Sequence, residues 1–150
     1  MELLLKELSE FYEKLDQVLL PSGRDCGLCG ECCKKASMLT VRPLEMENIK
    51  RYVQDGPRFK KFCDFAQSSV VKIWSITGHC PFQEGTLCGI YPVRPYCCRV
   101  YGHYDYLGKN LLEGCVYRGH ATIYSRREEL PLTEEFDRLT AAFDRINSAL

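Results

Sequence analysis

Four cysteines stand within eight residues at Cys26-Gly27-Leu28-Cys29-Gly30-Glu31-Cys32-Cys33. This C-x2-C-x2-C-C run constrains the chain more than any other feature it carries. A C-x2-C loop lets two thiolates converge on one metal ion, and its glycines permit the positive-φ turns this requires. A third cysteine at the same spacing gives the run that supplies three corners of an iron–sulfur cube. Cys32 and Cys33 are adjacent, so their side chains point apart and serve different metals or opposite sides of one cluster. Six more cysteines follow, at Cys63, Cys80, Cys88, Cys97, Cys98 and Cys115, making ten in 150 residues.

What those thiols do depends on the redox compartment. A secretory signal has a basic patch, an apolar stretch of about 7–15 residues and small residues at its end. The chain opens Met1-Glu2-Leu3-Leu4-Leu5-Lys6-Glu7, and its longest apolar run there is Leu3-Leu4-Leu5. We therefore expect a cytoplasmic protein with reduced thiols, whose cysteines bind metal rather than form disulfides. Charge narrows the class further. Twenty basic residues balance twenty acidic ones, which is not the footprint of a general nucleic-acid binder. With 45% apolar and 27% charged residues the chain is not disordered by composition. No apolar run approaches the roughly 18 residues of a membrane span.

The expected fold is a small α-rich single domain, α+β at most, over residues 1–150. An irregular cysteine-rich, metal-bound centre, approximately 24–119, is flanked by amphipathic helices at approximately 2–20 and 134–149. In the first helix Leu4, Leu8, Phe11, Leu15 and Val18 form one apolar stripe, widened by Leu5, Tyr12 and Leu19. In the last, Phe136, Leu139, Phe143, Ile146 and Leu150 do the same, with Thr133 as N-cap and Glu134 and Glu135 at the positive end of the helix dipole. Both stripes are read as core faces; docking of a protein partner along them is the alternative. Pro43 opens a third helix with Leu44, Ile49, Tyr52 and Val53 inward and Asp55-Gly56-Pro57 as its stop. One or two helical turns follow over 58–66, and the β-branched, aromatic stretch 70–76 reads as a short strand. Residues 78–119 hold seven glycines and three prolines, too many for long regular elements.

The same stretch holds Cys80-Pro81-Phe82, Cys88-Gly89-Ile90-Tyr91, Arg94-Pro95-Tyr96-Cys97-Cys98-Arg99 and Cys115. The turn Gln83-Glu84-Gly85-Thr86 can fold back as a hairpin that brings Cys80 and Cys88 together. With the run at Cys26–Cys33, these motifs resemble the CxxCxxCC (YkgJ-type) cysteine-cluster family of zinc- or iron-chelating proteins. The likeness spans roughly 26–115. It implies eight shared cysteines as metal ligands: Cys26, Cys29, Cys32, Cys33, Cys80, Cys88, Cys98 and Cys115. Cys63 and Cys97 fall outside that set.

Eight thiolates suit two four-cysteine zinc sites or two cube-type iron–sulfur clusters. The C-x2-C-x2-C run favours iron–sulfur as cofactor; two zinc ions are the alternative, replacing a hydrophobic core in the glycine-rich stretch. Arg24, Lys34, Lys35, Arg94, Arg99 and Arg118 lie near the cysteines in sequence, where cations offset thiolate charge. Arg94 and Arg99, which belong to the motif, are the expected pair. His79, His103 and His120 read as surface or hydrogen-bonded histidines rather than ligands. Tyr91, Tyr96, Tyr101, Tyr104 and Tyr106 read as aromatic bulk in a small core. No phosphate-binding glycine loop, zinc-protease pattern or G-x-S-x-G elbow occurs. No catalytic residue is assigned. The leading function is metal binding, most simply of iron–sulfur, with a zinc-stabilised adaptor and a redox or methyl-transfer enzyme as alternatives.

Overall fold

A computed structural model describes residues 1–19, 40–67, 79–101, 103 and 122–149. Helix α1 spans Glu2–Val18, α2 Pro43–Tyr52 and α3 Gly56–Gln67. A hairpin follows, with β1 Gln83–Glu84 antiparallel to β2 Leu87–Cys88. A 3-10 turn at Tyr91–Val93 leads into a five-residue helix, α4 Tyr96–Val100. A second 3-10 turn, Arg127–Glu129, precedes α5, Thr133–Ser148. The chain is α-rich as expected. Among the described residues no helix is long and apolar enough to cross a membrane.

The terminal stripes pack on each other rather than facing outward. Leu8, Phe11 and Leu15 of α1 are fully buried, and Phe136, Leu139 and Phe143 of α5 are nearly so, all in one cluster. Phe136 is its hub: its ring stacks on Phe11 at 5.5 Å and on Tyr96 at 4.4 Å. Val18 and Ile146, each near the outer end of its helix, are about half exposed; at the end of α1 it is Leu19, not Val18, that joins the cluster. Thr140, which the apolar pattern skips, is fully buried; its hydroxyl donates to the Asp137 carbonyl at 3.1 Å and so needs no solvent. Leu150 lies outside the described residues.

Thr133 does not cap α5 from outside. It is the first helical residue, and its Oγ1 lies 2.9 Å from the Leu130 carbonyl and 3.0 Å from the Tyr96 hydroxyl, on the core side. The cap position is Leu132 at φ +62. This strained conformation for a γ-branched residue is held by its packing against the apolar cluster.

Helix α2 lies across the junction of two cores. Leu44 joins the α1–α5 cluster, while Ile49 joins a second with Phe62, Phe82 and Ile90. Tyr52 points outward, nearly half exposed, a correction to its expected inward place. Asp55-Gly56-Pro57 ends α2 but also begins α3, because the Asp55 carboxylate accepts the Arg58 N–H at 2.9 Å as a cap. That start signal makes α3 a twelve-residue helix rather than one or two turns. The strand expected over 70–76 lies outside the described residues.

Candidate metal centre

The second core is where the described cysteines gather. Among the described residues its fully buried members are Ile49 from α2, Phe62 from α3, and Phe82 and Ile90 flanking the hairpin, with Phe62 and Phe82 4.8 Å apart. Cys80, Cys88, Cys97 and Cys98 are half-buried and pack against it.

The hairpin positions the first pair as its sequence suggests. Gly85 occupies the left-handed region at φ +61, which the two-residue turn requires. Gln83 pairs with Cys88, and the Gln83 N–H donates to the Cys80 carbonyl at 2.9 Å. Both cysteines thus flank the same residue, Cys88 as its cross-strand neighbour and Cys80 through a hydrogen bond. Gly89 closes the unit: its N–H donates to the Phe82 carbonyl at 2.8 Å, and a Cβ there would stand 3.1 Å from that oxygen. Arg58 of α3 clamps the hairpin from outside. Its Nε donates to the Pro81 carbonyl at 2.8 Å, Nη1 reaches Glu84 at 2.5 Å, and the guanidinium lies over the Phe82 ring.

The second pair sits on one turn of α4. Cys97 and Cys98 both meet the apolar cluster, although the likeness to the family selects only Cys98. Cys97 also lies within electrostatic reach of the Tyr12 phenol, whose pKa burial pushes up, with Glu45 and Cys97 adding to the rise. Cys63 does not join this group; burial, then the Asp64 carboxylate, raises its pKa and holds it as a thiol. Cys26, Cys29, Cys32, Cys33 and Cys115 lie outside the described residues. Among the described residues no three Cys, His, Asp or Glu side chains stand together as an ion site.

Arg94 and Arg99 have a different partner from the one their sequence position suggests. Asp16 of α1 takes both: Oδ2 accepts Arg99 Nη1 at 2.5 Å, and Oδ1 accepts Arg94 Nη2 at 3.3 Å. Arg99 is almost wholly buried. It lies over the Tyr12 ring at 3.9 Å and donates further to the carbonyls of Arg94 and Pro92. Burial, followed by repulsion from Arg94, lowers its pKa, and Asp16 opposes that. Arg94 lies over the Tyr91 ring and donates to the Tyr91 carbonyl at 3.0 Å.

Glu45, unmarked by any motif, is fully buried. It accepts the Tyr12 hydroxyl at 2.7 Å, the Tyr96 N–H at 2.6 Å and, as the third residue of α2, the Arg42 N–H at 2.9 Å. Burial raises its pKa against the lowering effect of those three bonds and of Arg99. A carboxylate three residues after a helix start is a readable signal; its reach to Tyr96, 51 positions away, is not.

His79 is exposed, with Nδ1 3.4 Å from the Gln83 side-chain oxygen. His103 is buried, with Nδ1 3.1 Å from the Thr122 carbonyl. Tyr96 fills the first core and Tyr91 serves as a platform for Arg94. His120, Tyr104 and Tyr106 lie outside the described residues.

The donor set fits a thiophilic metal. Bare thiolates are disfavoured against an apolar wall, and a soft cation that neutralises them removes the penalty. Comparison with known families agrees: the family described as "CxxCxxCC: Putative zinc- or iron-chelating domain" matches residues 25–139. No curated protein and no solved structure matches the chain.

Proposed function

Because the chain belongs to the CxxCxxCC family, a family of described metal chelators, we propose that it is a cytoplasmic iron–sulfur protein. Its ligands are the thiolates of Cys26, Cys29, Cys32, Cys33, Cys80, Cys88, Cys98 and Cys115. The observation that carries this reading is the gathering of Cys80, Cys88 and Cys98 on one small apolar cluster built from three separate parts of the chain. No three donors converge among the described residues, so in this reading each site draws ligands from both 26–33 and the later cysteines. That interleaving ties the two cysteine-rich stretches together. When bound, the cluster supplies electron-transfer capacity. The protein's own residues supply thiolates, exclude water with Phe82 and Ile90, and hold the hairpin through Arg58.

One observation favours structural zinc as the second reading. Strands of two residues cannot hold a hairpin by their ladder alone, so a redox-inert ion that props it in place would suffice. Anaerobic purification followed by a visible spectrum and analysis for iron, sulfide and zinc tests the pair. A brown protein containing iron and sulfide supports the first reading. A colourless protein with two zinc ions per chain sinks it and supports the second.

A further inference from the structure

The turn that bears Cys97 and Cys98 is too short to hold itself. Helix α4 has five residues, below the length at which a helix is stable by its own hydrogen bonds. Its two ends are gripped from elsewhere. At the start, the Tyr96 N–H, one of the donors a helix leaves unsatisfied, is accepted by buried Glu45 of α2 at 2.6 Å. Towards the end, Arg99, immediately after Cys98, is fixed by Asp16 of α1 at 2.5 Å and by the Tyr12 ring beneath it. Tyr12 then closes the circuit by donating to Glu45 at 2.7 Å.

We propose that Asp16 and Glu45 are positioning residues for the Cys97–Cys98 turn, holding it so that its thiols lie against the hairpin cluster. The proposal deepens the metal-binding reading and makes α1 a working part of the thiol site. That helix precedes the family match at 25–139. Asp16 has a second task here. Arg94 and Arg99 repel each other, and Asp16 is the carboxylate bonded to both. Its loss leaves a buried guanidinium beside a like charge, which drives Arg99 outward and pulls on Cys98.

Asp16→Asn is the first variant, since Asp16 is 42% exposed in its side chain and a mild change there leaves the packed core intact. Glu45→Gln is the second. Leu139→Ala, in the α1–α5 core and outside the Asp16–Arg99 and Glu45–Tyr96 bonds, serves as a destabilised control. The measurement is cysteine-by-cysteine alkylation of the as-purified full chain, read by mass spectrometry with helical circular dichroism unchanged. Asp16→Asn is expected to speed labelling of Cys97 and Cys98 roughly ten-fold relative to Cys80 and Cys88, the shift that loss of one charge-assisted bond produces in local opening. The control is expected to change all four alike. Equal acceleration of all four in Asp16→Asn, or none, overturns the proposal; if Glu45→Gln does not fold, Asp16→Asn alone decides it. A parallel titration with cobalt(II) tests the underlying reading separately: wild-type chain without a thiolate-to-cobalt charge-transfer band overturns metal binding by these cysteines, whatever the alkylation shows of the clasp.

Discussion

Phe11 and Phe62 are both fully buried, yet they sit in cores of different kinds. Around Phe11, two long helices bring apolar side chains from both ends of the chain into one continuous cluster, with Tyr96 and Phe136 stacked within it. Around Phe62, among the described residues, three others are fully buried, and the next ring of neighbours includes four cysteines. The first core is closed chiefly by apolar burial, with Glu45 bonded to Tyr12 and Tyr96 within it. The second has a wall of thiols, and its hairpin has strands of two residues. A chain that can bury two helical stripes needs no metal there. A glycine-rich segment that cannot needs another source of cohesion, and thiolate ligation is one that cysteine-rich segments supply.

Substitutions sort by which core they touch. Phe11→Ala is expected to have the largest effect, about 3–5 kcal/mol of global stability, read from urea denaturation, while the folded fraction loses less metal than that of Phe62→Ala. Phe62→Ala costs about 3 kcal/mol by the same cavity argument, but its damage spreads to metal retention, because Phe62 supports Phe82 between the hairpin cysteines. Equal metal loss from both variants would erase the distinction between the cores.

Glu45 sharpens the comparison through pH. Its carboxyl is raised by burial in the fold, so the folded chain binds its proton more tightly than the unfolded chain does. Its contribution is therefore fullest below the unfolded value near 4.3 and is lost as pH rises through the folded value. Glu45→Gln leaves the Arg42 N–H without its carboxylate acceptor and costs about 1–3 kcal/mol at low pH. The deficit should shrink as pH rises, measured as the difference between two stability–pH curves. A constant deficit would show that Glu45 does not titrate differently in the two states. The smallest effect is expected at the rim. Arg127 and Asp137 bond at 2.5 Å, but each is about half exposed, so Arg127→Ala should cost less than about 1 kcal/mol in either core.

Much of this was legible along the chain. The stripes of α1 and α5 repeat at helical spacing, so their buried centres follow from the sequence; the exposure of Val18 and Ile146 does not, because periodicity does not say which side of a stripe its neighbours cover. The Gly85 turn is local chemistry and was readable. Asp55-Gly56-Pro57 carried two messages, a stop and a start, and only the geometry shows the second. Arg94 and Arg99 were legible as significant but not as partners of Asp16, some eighty residues away, since an ion pair across that separation leaves no spacing signal. Glu45 was missed for the same reason. A buried carboxylate is recognised by what surrounds it, not by its neighbours in sequence.

Amide hydrogen exchange, compared before and after metal is stripped by a chelator under reducing conditions, tests the separation of the two cores most directly. The amides of Gln83 and Gly89, bonded to Cys80 and Phe82, should lose their protection on metal removal, while the central amides of α1 and α5 keep theirs. Full protection of the hairpin without metal, or loss of protection in α1 and α5 in the same proportion, would contradict the account of one core closed by apolar burial and the other by thiolate ligation.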